Sequence, residues 1–332
     1  MAIFDEITRR KLLTGALATS AAGLFGGFDV ESALAKAAMV RKAGPAFYRF
    51  KVGAFEVTVV SDGPLNLGPP SADVFKGVSK DEMTKFLESN YLPIDNVTLE
   101  QNTLVVNTGK NLVLFDTGVG KDLKAFGPDA GRQLANLKAA GINPSDIDAV
   151  ILTHPHADHC FGIMTANGKR NFPKAQLYMA QADYDFWTDE SKGVNDIMKL
   201  MVGGARKNLM PNRSRMVFVK DGQDVVPGIQ AIATPGHTVG HTSYMITSAN
   251  QTLLNLGDVG HSHVISLERP KAEFSFDTDG KLAVESRLKT FDMLSKDRIR
   301  MVAYHFPWPG VGYIGKQGDA YRYFPAPLQT TL

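Results

Sequence analysis

The sequence predicts an α/β fold in which two β-sheets form the core and helices lie outside them. Three observations support this prediction. Short β-rich runs bounded by turn residues recur along the chain, helical patterns alternate with these runs, and no repeat or low-complexity linker divides them. We therefore expect one domain, although a chain of 332 residues is long enough for two.

The predicted strands are short apolar runs rich in β-branched and aromatic residues, the types that favour a pleated, half-buried surface. They comprise residues 47–52, 55–60, 103–107, 112–116, 149–152, 176–179, 216–219, 229–233, 243–247 and 252–256. The tetrapeptide Thr108-Gly109-Lys110-Asn111 separates two of these runs and predicts a hairpin turn between them.

The predicted helices are three stretches with apolar residues at helical spacing. They cover residues 79–87, 131–140 and 281–295. The second stretch ends directly before Gly141, and glycine commonly terminates a helix because it adopts the left-handed conformation without strain.

The N-terminus has the pattern of an export signal. Arg9 and Arg10 precede a mild, glycine- and alanine-rich apolar run at residues 12–28, which ends near the small-x-small site Ala33-Leu34-Ala35. This order predicts a twin-arginine signal over residues 1–35, with an ordinary amphipathic or lipid-facing helix as the alternative. No later apolar stretch approaches the ~20 residues that a membrane span needs. We therefore expect a periplasmic protein with no stable membrane anchor.

The charge balance argues against nucleic acid as a partner. Lys and Arg together number 36 and Asp and Glu 34, which leaves a net charge of +2 and no strong field for a phosphate backbone. The single cysteine, Cys160, excludes an intramolecular disulfide and so does not indicate the compartment. We expect Cys160 to pack inward on a helix rather than to act as a nucleophile.

The histidines are concentrated in one half of the chain. All 8 lie between His154 and His305, and the densest group is His154-Pro155-His156-Ala157-Asp158-His159. His154 and His156 project to the same side of an extended segment, which Pro155 favours at residue 154. The chain can then turn into a helix, which directs Asp158 and His159 at a second point nearby. This spacing predicts two neighbouring metal positions.

Three further candidate ligands also follow apolar, strand-like runs. These are His237, Asp258 and His305. Ligands at strand ends lie on one rim of a rigid scaffold, where separate segments can converge. Imidazole and carboxylate groups suit Zn²⁺, and Mn²⁺ and Fe²⁺ tolerate the same set.

Four motifs together resemble those of the metallo-β-lactamase superfamily: His154-x-His156-x-Asp158-His159, Thr234-Pro235-Gly236-His237-Thr238-x-Gly240-His241, Gly257-Asp258 and the late His305. The resemblance implies an αββα four-layer sandwich, two mixed β-sheets flanked by helices, with the metals at one rim. It places a single domain at residues 36–332, with the motif core at about 99–306. Leu114-Phe115-Asp116-Thr117-Gly118 is similar to another motif of the superfamily, in which Asp116 has a structural role.

The resemblance also implies the ligand set. It assigns His154, His156 and His237 to one metal, Asp158, His159 and His305 to the other, and Asp258 to a bridge between them. The carboxylates Asp158 and Asp258 are the candidate catalytic residues. His241 is expected to support the ligands from behind. His261 and His263 have no counterpart in the superfamily; either they are loop residues that line or flank the pocket, or they take part in proton transfer.

Within the superfamily, the chain most resembles the methyl parathion hydrolase branch of organophosphate-degrading enzymes. Residues 126–128, 134–141, 182–187 and 226–229 carry this likeness. Phe126 and Trp187 then correspond to aromatic residues at the mouth of the substrate pocket, with ordinary core packing as the alternative. The loop at residues 65–78 has no clear counterpart, so the wall facing the substrate is not defined.

The implied activity is hydrolysis by a hydroxide that bridges two divalent ions and attacks a phosphorus or carbonyl centre. The expected substrate is a phosphotriester, as in the methyl parathion hydrolase branch, or a lactone or aryl ester. The alternatives are N-acyl-homoserine lactone hydrolysis, redox chemistry at a single iron, as in the sulfur dioxygenases of the superfamily, or at a di-iron centre, and metal binding without catalysis. The resemblance also implies a homodimer.

Overall fold

The computed structural model describes residue 44, residues 46–121 and residues 127–332. The expected signal at residues 1–35 and the expected pocket residue Phe126 lie outside the described residues. The chain from Pro45 to Leu332 groups into one unit. In the described part of the chain, no helix has both the length and the apolar character that crossing a membrane requires.

The described strands are numbered in chain order. They are β1 (Phe47–Val52), β2 (Phe55–Ser61), β3 (Leu65–Asn66), β4 (Phe75–Lys76), β5 (Thr98–Leu99), β6 (Asn102–Asn107), β7 (Leu112–Phe115), β8 (Ala149–Ile151), β9 (Gln176–Ala180), β10 (Met216–Val219), β11 (Asp224–Val226), β12 (Ile229–Ala233), β13 (Thr242–Ser248), β14 (Gln251–Asn255), β15 (Glu273–Phe274), β16 (Arg300–Val302), β17 (Val311–Gln317) and β18 (Ala320–Pro325).

The α-helices are numbered in the same way. They are α1 (Lys80–Ser89), α2 (Gln133–Ala139), α3 (Ala157–Cys160), α4 (Gln181–Thr188), α5 (Asp196–Leu209), α6 (Ile265–Glu268) and α7 (Gly280–Asp297). Short 3-10 helices cover Pro144–Asp146, Glu190–Lys192 and Met210–Arg215.

Two seven-stranded sheets form the core. The first has the order β1-β2-β6-β7-β8-β9-β10 and the second β11-β12-β13-β14-β16-β17-β18. Strands β7 to β10 pair in parallel, and the rest of the first sheet is antiparallel. In the second sheet only β14 and β16 pair in parallel. Both sheets are therefore mixed, as the family resemblance implies.

The alternation of side chains along the strands produces four layers. In β6, Leu104 and Val106 join the apolar cluster between the sheets, whereas Val105 joins the cluster on the outer face of the first sheet. Successive strand residues point to opposite faces, so one strand serves both clusters. Helices α2 and α5 cover the outer face of the first sheet, and α7 covers that of the second. The predicted αββα sandwich is confirmed.

The edge of the sandwich that carries the candidate ligands is formed by the ends of four strands. His154 lies three residues beyond β8, His237 four beyond β12, Asp258 three beyond β14 and His305 three beyond β16. Strands β14 and β16 are parallel neighbours, so Asp258 and His305 leave the second sheet at the same end. The strand ends therefore bring distant parts of the sequence to one rim.

A separate apolar cluster lies beside this rim. It joins the segment from Leu65 to Leu99, which includes α1, to the region around α6 and β15. Strand β4 pairs with β15, and β3 pairs with β5. This small subdomain supplies the wall that the sequence pattern leaves undefined.

Helix α5 is the main element that the sequence pattern did not predict. It contains Gly203 and Gly204, and glycine lowers the helix propensity of a segment. The tertiary contact explains Gly204, because a Cβ there would lie 1.8 Å from the Cζ atom of Phe161. Packing against the helix, together with the N-cap from Asn195, therefore outweighs the low helix propensity of the two glycines.

Candidate metal centre

The dense histidine motif folds as an extended segment that turns directly into a helix. His156 is extended, with φ −65° and ψ 165°, and it precedes the short helix α3. The backbone N–H of His159 donates to the carbonyl of His156 at 3.1 Å. The imidazoles of His156 and His159 and the carboxylate of Asp158 are buried. The local sequence thus turns first His154 and His156, and then Asp158 and His159, towards the interior, as predicted.

The first ligand group consists of His154, His156 and His237. One nitrogen from each ring lies within 4.8 Å of the others, and all three side chains are buried. The ring centroids are 4.7 Å apart in each pair. The Nε2 atoms of His154 and His237 have no hydrogen-bond partner. Buried imidazole nitrogens that converge without partners are the arrangement that a metal ion satisfies.

The second ligand group consists of Asp158, His159 and His305, whose donor atoms also lie within 4.8 Å of one another. The Nε2 atoms of His159 and His305 each lie 3.5 Å from Oδ2 of Asp158. This group combines one carboxylate with two imidazoles, a donor set that suits zinc, manganese or iron.

Asp258 lies between the two groups. Its Oδ2 atom is 3.7 Å from Nε2 of His154 and 3.4 Å from Nε2 of His237, both in the first group. Its Oδ1 atom is 3.3 Å from Nε2 of His159, and Oδ2 is 3.0 Å from Nε2 of His305, both in the second. Oδ1 has no hydrogen-bond partner. Asp258 could therefore bridge two ions.

Oxygen atoms behind the histidines fix the orientation of their rings. The Nδ1 atom of His159 lies 3.0 Å from Oδ2 of Asp116, and that of His305 lies 2.8 Å from the carbonyl oxygen of Glu100. The Nδ1 atom of His154 lies 3.1 Å from Oγ1 of Thr153. Such contacts hold Nε2 towards the metal position and increase its basicity. Asp116 thus occupies the structural role that the resemblance implies.

His241 uses both ring nitrogens within the protein. Its Nε2 atom accepts the backbone N–H of Asp258 at 2.9 Å, and its Nδ1 atom lies 2.8 Å from Oγ1 of Thr234. Burial lowers the pKa of His241 to about 3, which keeps the ring neutral and able to accept that N–H. His241 therefore positions the backbone of Asp258 and offers no free nitrogen to a metal.

The electrostatics of the centre couple the carboxylates to the imidazoles. Burial raises the pKa of Asp158, but the neighbouring His159 outweighs it and brings the pKa to about 2. Burial lowers the pKa of His237, but Asp258 and Asp277 outweigh it and raise the pKa to about 9. The carboxylates are thus stabilised by positive charge on their neighbours. Divalent ions would supply that charge in place of protons.

The donor set fits two divalent metal ions. The convergent atoms are nitrogen and oxygen, several of them are buried without partners, and the Asp258 carboxylate faces both groups. Cys160 does not belong to this set, because its side chain is buried and directs Sγ at the carbonyl oxygen of Pro155. Burial also raises the pKa of the Cys160 thiol, which disfavours the thiolate.

A cavity of about 370 Å³ opens onto both ligand groups. Its apolar lining consists of Leu65, Leu67, Leu99, Met201, Phe274 and Phe276. No sequence motif marks these residues as part of the site. The alternation in Phe274-Ser275-Phe276 was the available signal, since it places both rings on one side of an extended segment.

The structure does not place Trp187 in the cavity lining. The side chain is 2% exposed and lies in the core, where its ring meets that of His156 edge-on at 4.8 Å. The expectation that Trp187 lines the pocket mouth is therefore wrong, and core packing is the correct alternative. Its position on α4 directs the indole at the ring of His156 from within the core, rather than into the cavity.

Two buried charged side chains that no sequence motif indicates, Arg287 and Asp277, support the cavity wall. The guanidinium of Arg287 donates to the carbonyls of Val259, Pro270 and Ala272 at 2.8, 3.0 and 2.5 Å. Asp277 lies 3.9 Å from the same guanidinium. Neither residue lies in a recognisable motif. Their contacts form only when α7 packs against the segment from Val259 to Asp277.

Comparison with known proteins agrees with this geometry. The family model described as the metallo-beta-lactamase superfamily matches residues 97–305. The solved structure of AidC, a dizinc quorum-quenching lactonase, has a TM-score of 0.80 and 26% identity and covers 86% of this chain and 99% of that one. The solved structure of the hydrolase AbOPH has a TM-score of 0.79 and 31% identity and covers 87% and 100%.

An N-acyl homoserine lactonase from Bacillus sp is 26% identical over 164 residues. That match spans 49% of this chain and 57% of the relative, so the chain spans just over half the length of this curated relative. The chain belongs to the metallo-beta-lactamase superfamily.

Proposed function

We propose that the protein is a dinuclear zinc hydrolase of small, uncharged esters, with lactones and aryl esters as the first candidate substrates and phosphotriesters as the second. The observation that carries this proposal is the apolar cavity that opens directly onto both ligand groups. An ester held against that wall has its scissile bond beside the two metal positions.

The ligand groups assign the residues that hold each ion. His154, His156 and His237 would hold one, Asp158, His159 and His305 would hold the other, and Asp258 would be shared between them. Two divalent ions at such a site supply Lewis acidity and an activated water. The protein would fix the positions of the ions through the contacts behind the rings of His154, His159, His237 and His305, and the ligand side chains are buried.

The lining of the cavity favours uncharged substrates. No Lys or Arg side chain is found among the described residues that line it, whereas Phe274 and Phe276 form an aromatic wall. An anionic substrate such as a nucleotide gains no cationic partner from the protein there. An acyl chain or an aryl ring, in contrast, buries apolar surface against the two phenylalanines.

Lactones are the first candidate substrates because of the solved structure of a similar lactonase. The AidC structure contains the product N-hexanoyl-L-homoserine, and that chain is covered almost completely by this one. Phosphotriesters come second because of the motif likeness to the methyl parathion hydrolase branch. Both reactions need the same activated water and an uncharged substrate, so the shape of the cavity decides between them.

The test is a substrate panel with the zinc-loaded protein. N-hexanoyl homoserine lactone, phenyl acetate, an aryl phosphotriester and a β-lactam should be assayed with matched metal-free controls. We expect the lactone or the aryl ester to be hydrolysed fastest and the β-lactam slowest, since the latter carries a carboxylate. Oxygen uptake without hydrolysis would support the iron redox alternative and overturn the proposal.

We also propose that residues 1–35 direct export by the twin-arginine route and that the mature protein is a periplasmic homodimer. Replacement of both Arg9 and Arg10 by Lys should retain the protein in the cytoplasm, as measured by cell fractionation. Light scattering of the mature protein gives its oligomeric state. A double variant exported as well as the wild type would contradict the signal assignment.

A further inference from the structure

Tyr304 lies directly before His305 and contacts all three members of the second ligand group. Its hydroxyl donates to the backbone carbonyl of Asp158 at 2.5 Å. Its ring lies against that of His159, with 3.9 Å between centroids and 31° between planes, and it meets the ring of His305 at 5.1 Å and 88°. One buried side chain therefore joins three candidate ligands that come from two distant parts of the chain.

The hydroxyl of Tyr304 supplies a hydrogen bond that the short helix α3 does not make by itself. In a continuous helix the carbonyl of Asp158 would accept the backbone N–H of Gly162. Helix α3 ends at Cys160, and the N–H of Gly162 donates instead to the carbonyl of Gly118 at 3.0 Å. A buried carbonyl needs a donor, and the tyrosine provides it. The hydroxyl therefore fixes the backbone from which the Asp158 carboxylate projects.

The ring of Tyr304 covers one face of His159, whereas Asp116 holds the same imidazole at its edge. The Nδ1 atom of His159 lies 3.0 Å from Oδ2 of Asp116, which sets the direction of Nε2. A contact at one edge still allows the imidazole to tilt, but the tyrosine ring packed on its face prevents this tilt. The two contacts together hold Nε2 of His159 towards the second metal position.

The backbone around Tyr304 is tied to the first sheet through Asn102 of β6. The carbonyl of Tyr304 accepts the backbone N–H of Asn102 at 2.8 Å. The side-chain amide of Asn102 donates to the carbonyls of Ala303 and Phe306 at 3.1 and 2.8 Å. Tyr304 therefore has rigid support on both sides of the chain, which allows it to hold the ligands in place before an ion binds.

Tyr304 acts on the second ligand group and not on the first. Within the described part of the chain, its ring makes no ring contact with His154, His156 or His237. The side chain is 1% exposed and does not belong to the described lining of the cavity, so it has no direct contact with a substrate there. A change at Tyr304 should therefore affect one metal position selectively.

We propose that Tyr304 is a positioning residue that sets the affinity of the second metal position and thereby determines whether the protein holds two ions or one. The inference rests on the proposed function, because it needs the second ion that Asp158, His159 and His305 would hold. Asp158 belongs to the second group only. A shift of its backbone would therefore weaken that position and leave the three histidines of the first group in place.

The test is Tyr304→Phe, which removes the hydroxyl and keeps the ring. Competition with a chromophoric chelator gives separate affinities for the first and second Zn²⁺. We expect the second Zn²⁺ to bind about 10- to 100-fold more weakly than in the wild type and the first to bind unchanged. Tyr244→Phe is the matched control, because the Tyr244 hydroxyl donates to the carbonyl of Leu152 at 3.1 Å and the side chain is also fully buried. The control should bind both ions as the wild type does.

Cobalt shows which metal position has changed. The visible d–d absorption of the second Co²⁺ should shift in Tyr304→Phe and not in Tyr244→Phe, because a general loss of stability does not alter the ligand geometry. In addition, Asp158→Ala combined with Tyr304→Phe should bind its remaining ion as tightly as Asp158→Ala alone. A weaker remaining ion, an unchanged second affinity in Tyr304→Phe, or an equal loss in Tyr244→Phe overturns the inference.

The wild-type protein separates this inference from the proposed function. Fewer than two ions per wild-type chain would overturn the dinuclear centre and this inference with it. Two ions in the wild type, with the same two affinities in Tyr304→Phe, would overturn the inference alone. A wild-type protein that binds two ions but hydrolyses no ester would overturn the proposed substrate class, whereas a selective loss of the second ion in Tyr304→Phe would still support the role of Tyr304.

Discussion

The Nδ1 atom of His237 lies 2.9 Å from Oδ1 of Asp277, and this contact connects a candidate metal ligand to the wall of the substrate cavity. The other carboxylate oxygen of Asp277 accepts the backbone N–H of Phe274 at 2.8 Å. One buried side chain therefore orients the imidazole and positions the aromatic wall. A change at Asp277 should affect the metal centre and the cavity together.

Replacement of Asp277 by Ala should weaken metal binding. The Nδ1 atom of His237 loses its oxygen partner, and removal of such a partner commonly reduces metal affinity by about 10- to 100-fold. Competition with a chromophoric chelator measures the change. Asp292→Ala is the control, since Asp292 pairs with Lys316 on the surface. Equal affinity in the wild type and Asp277→Ala would contradict the role assigned to this carboxylate.

Replacement of Asp158 by Ala should remove one ion and leave the other. The carboxylate belongs to the second ligand group only, whereas His154, His156 and His237 form a complete first group without it. Elemental analysis after dialysis should show one ion per chain in place of two, and hydrolysis should fall sharply. Two retained ions would refute the assignment of Asp158 as a ligand.

Replacement of Arg287 by Met should destabilise the protein. The change leaves the carbonyls of Val259, Pro270 and Ala272 without their donor, together with the nearby Asp277 carboxylate. Breaking a buried charged contact of this kind costs about 3–5 kcal/mol. Urea unfolding monitored by tryptophan fluorescence measures the loss. The exposed Arg322→Met should change the free energy of unfolding little, and a similar result for Arg287→Met would contradict the prediction.

Asp183 should make the stability of the metal-free protein depend on pH. Its carboxylate accepts the hydroxyl of Thr238 at 2.7 Å and the N–H of Gly240 at 2.9 Å, which fixes the loop after His237. Burial raises the pKa of Asp183 from 3.8 to about 7, although these hydrogen bonds act against the rise. Between about pH 4 and about pH 7, Asp183 is therefore protonated in the folded state and ionised in the unfolded state.

The sign of the effect follows from the raised pKa. The contribution of protonated Asp183 is fully present below about pH 4 and is lost as the pH rises through about 7. Asp183→Asn cannot titrate, so its free energy of unfolding should rise relative to the wild type by up to about 4 kcal/mol between pH 4 and pH 8. Urea titrations in the presence of a chelator measure this difference. The exposed Asp185→Asn on the same helix should show none, and a constant offset for Asp183→Asn would refute the prediction.

The chemistry of the centre was readable from short stretches of sequence. His154 to His159 lie within six consecutive residues, and their extended-then-helical geometry follows from Pro155 and local hydrogen bonds. The strand ends before His237, Asp258 and His305 were also recognisable, because apolar runs of strand length are a local signal. The resemblance then assigned each of these positions to an ion, and the structure brings them together.

The substrate side of the site was decided by long-range packing. Trp187 was expected at the pocket mouth, but α4 packs its indole into the core behind His156. Phe274 and Phe276 form the wall instead, because Asp277 accepts the backbone N–H of Phe274 and Arg287 donates to the carbonyl of Ala272 in the same loop. None of these contacts has a sequence signature, since each depends on elements far apart in the chain.

The sequence by itself therefore determined the layered α/β architecture and the residue types of the metal centre, because strand alternation and ligand spacing are local properties of the chain. Only the tertiary structure decided which aromatic rings line the cavity and that both ring nitrogens of His261 lack a hydrogen-bond partner. The physical reason is that orientation and hydrogen-bond partners are set by neighbours that meet only when both sheets and their helices have packed together.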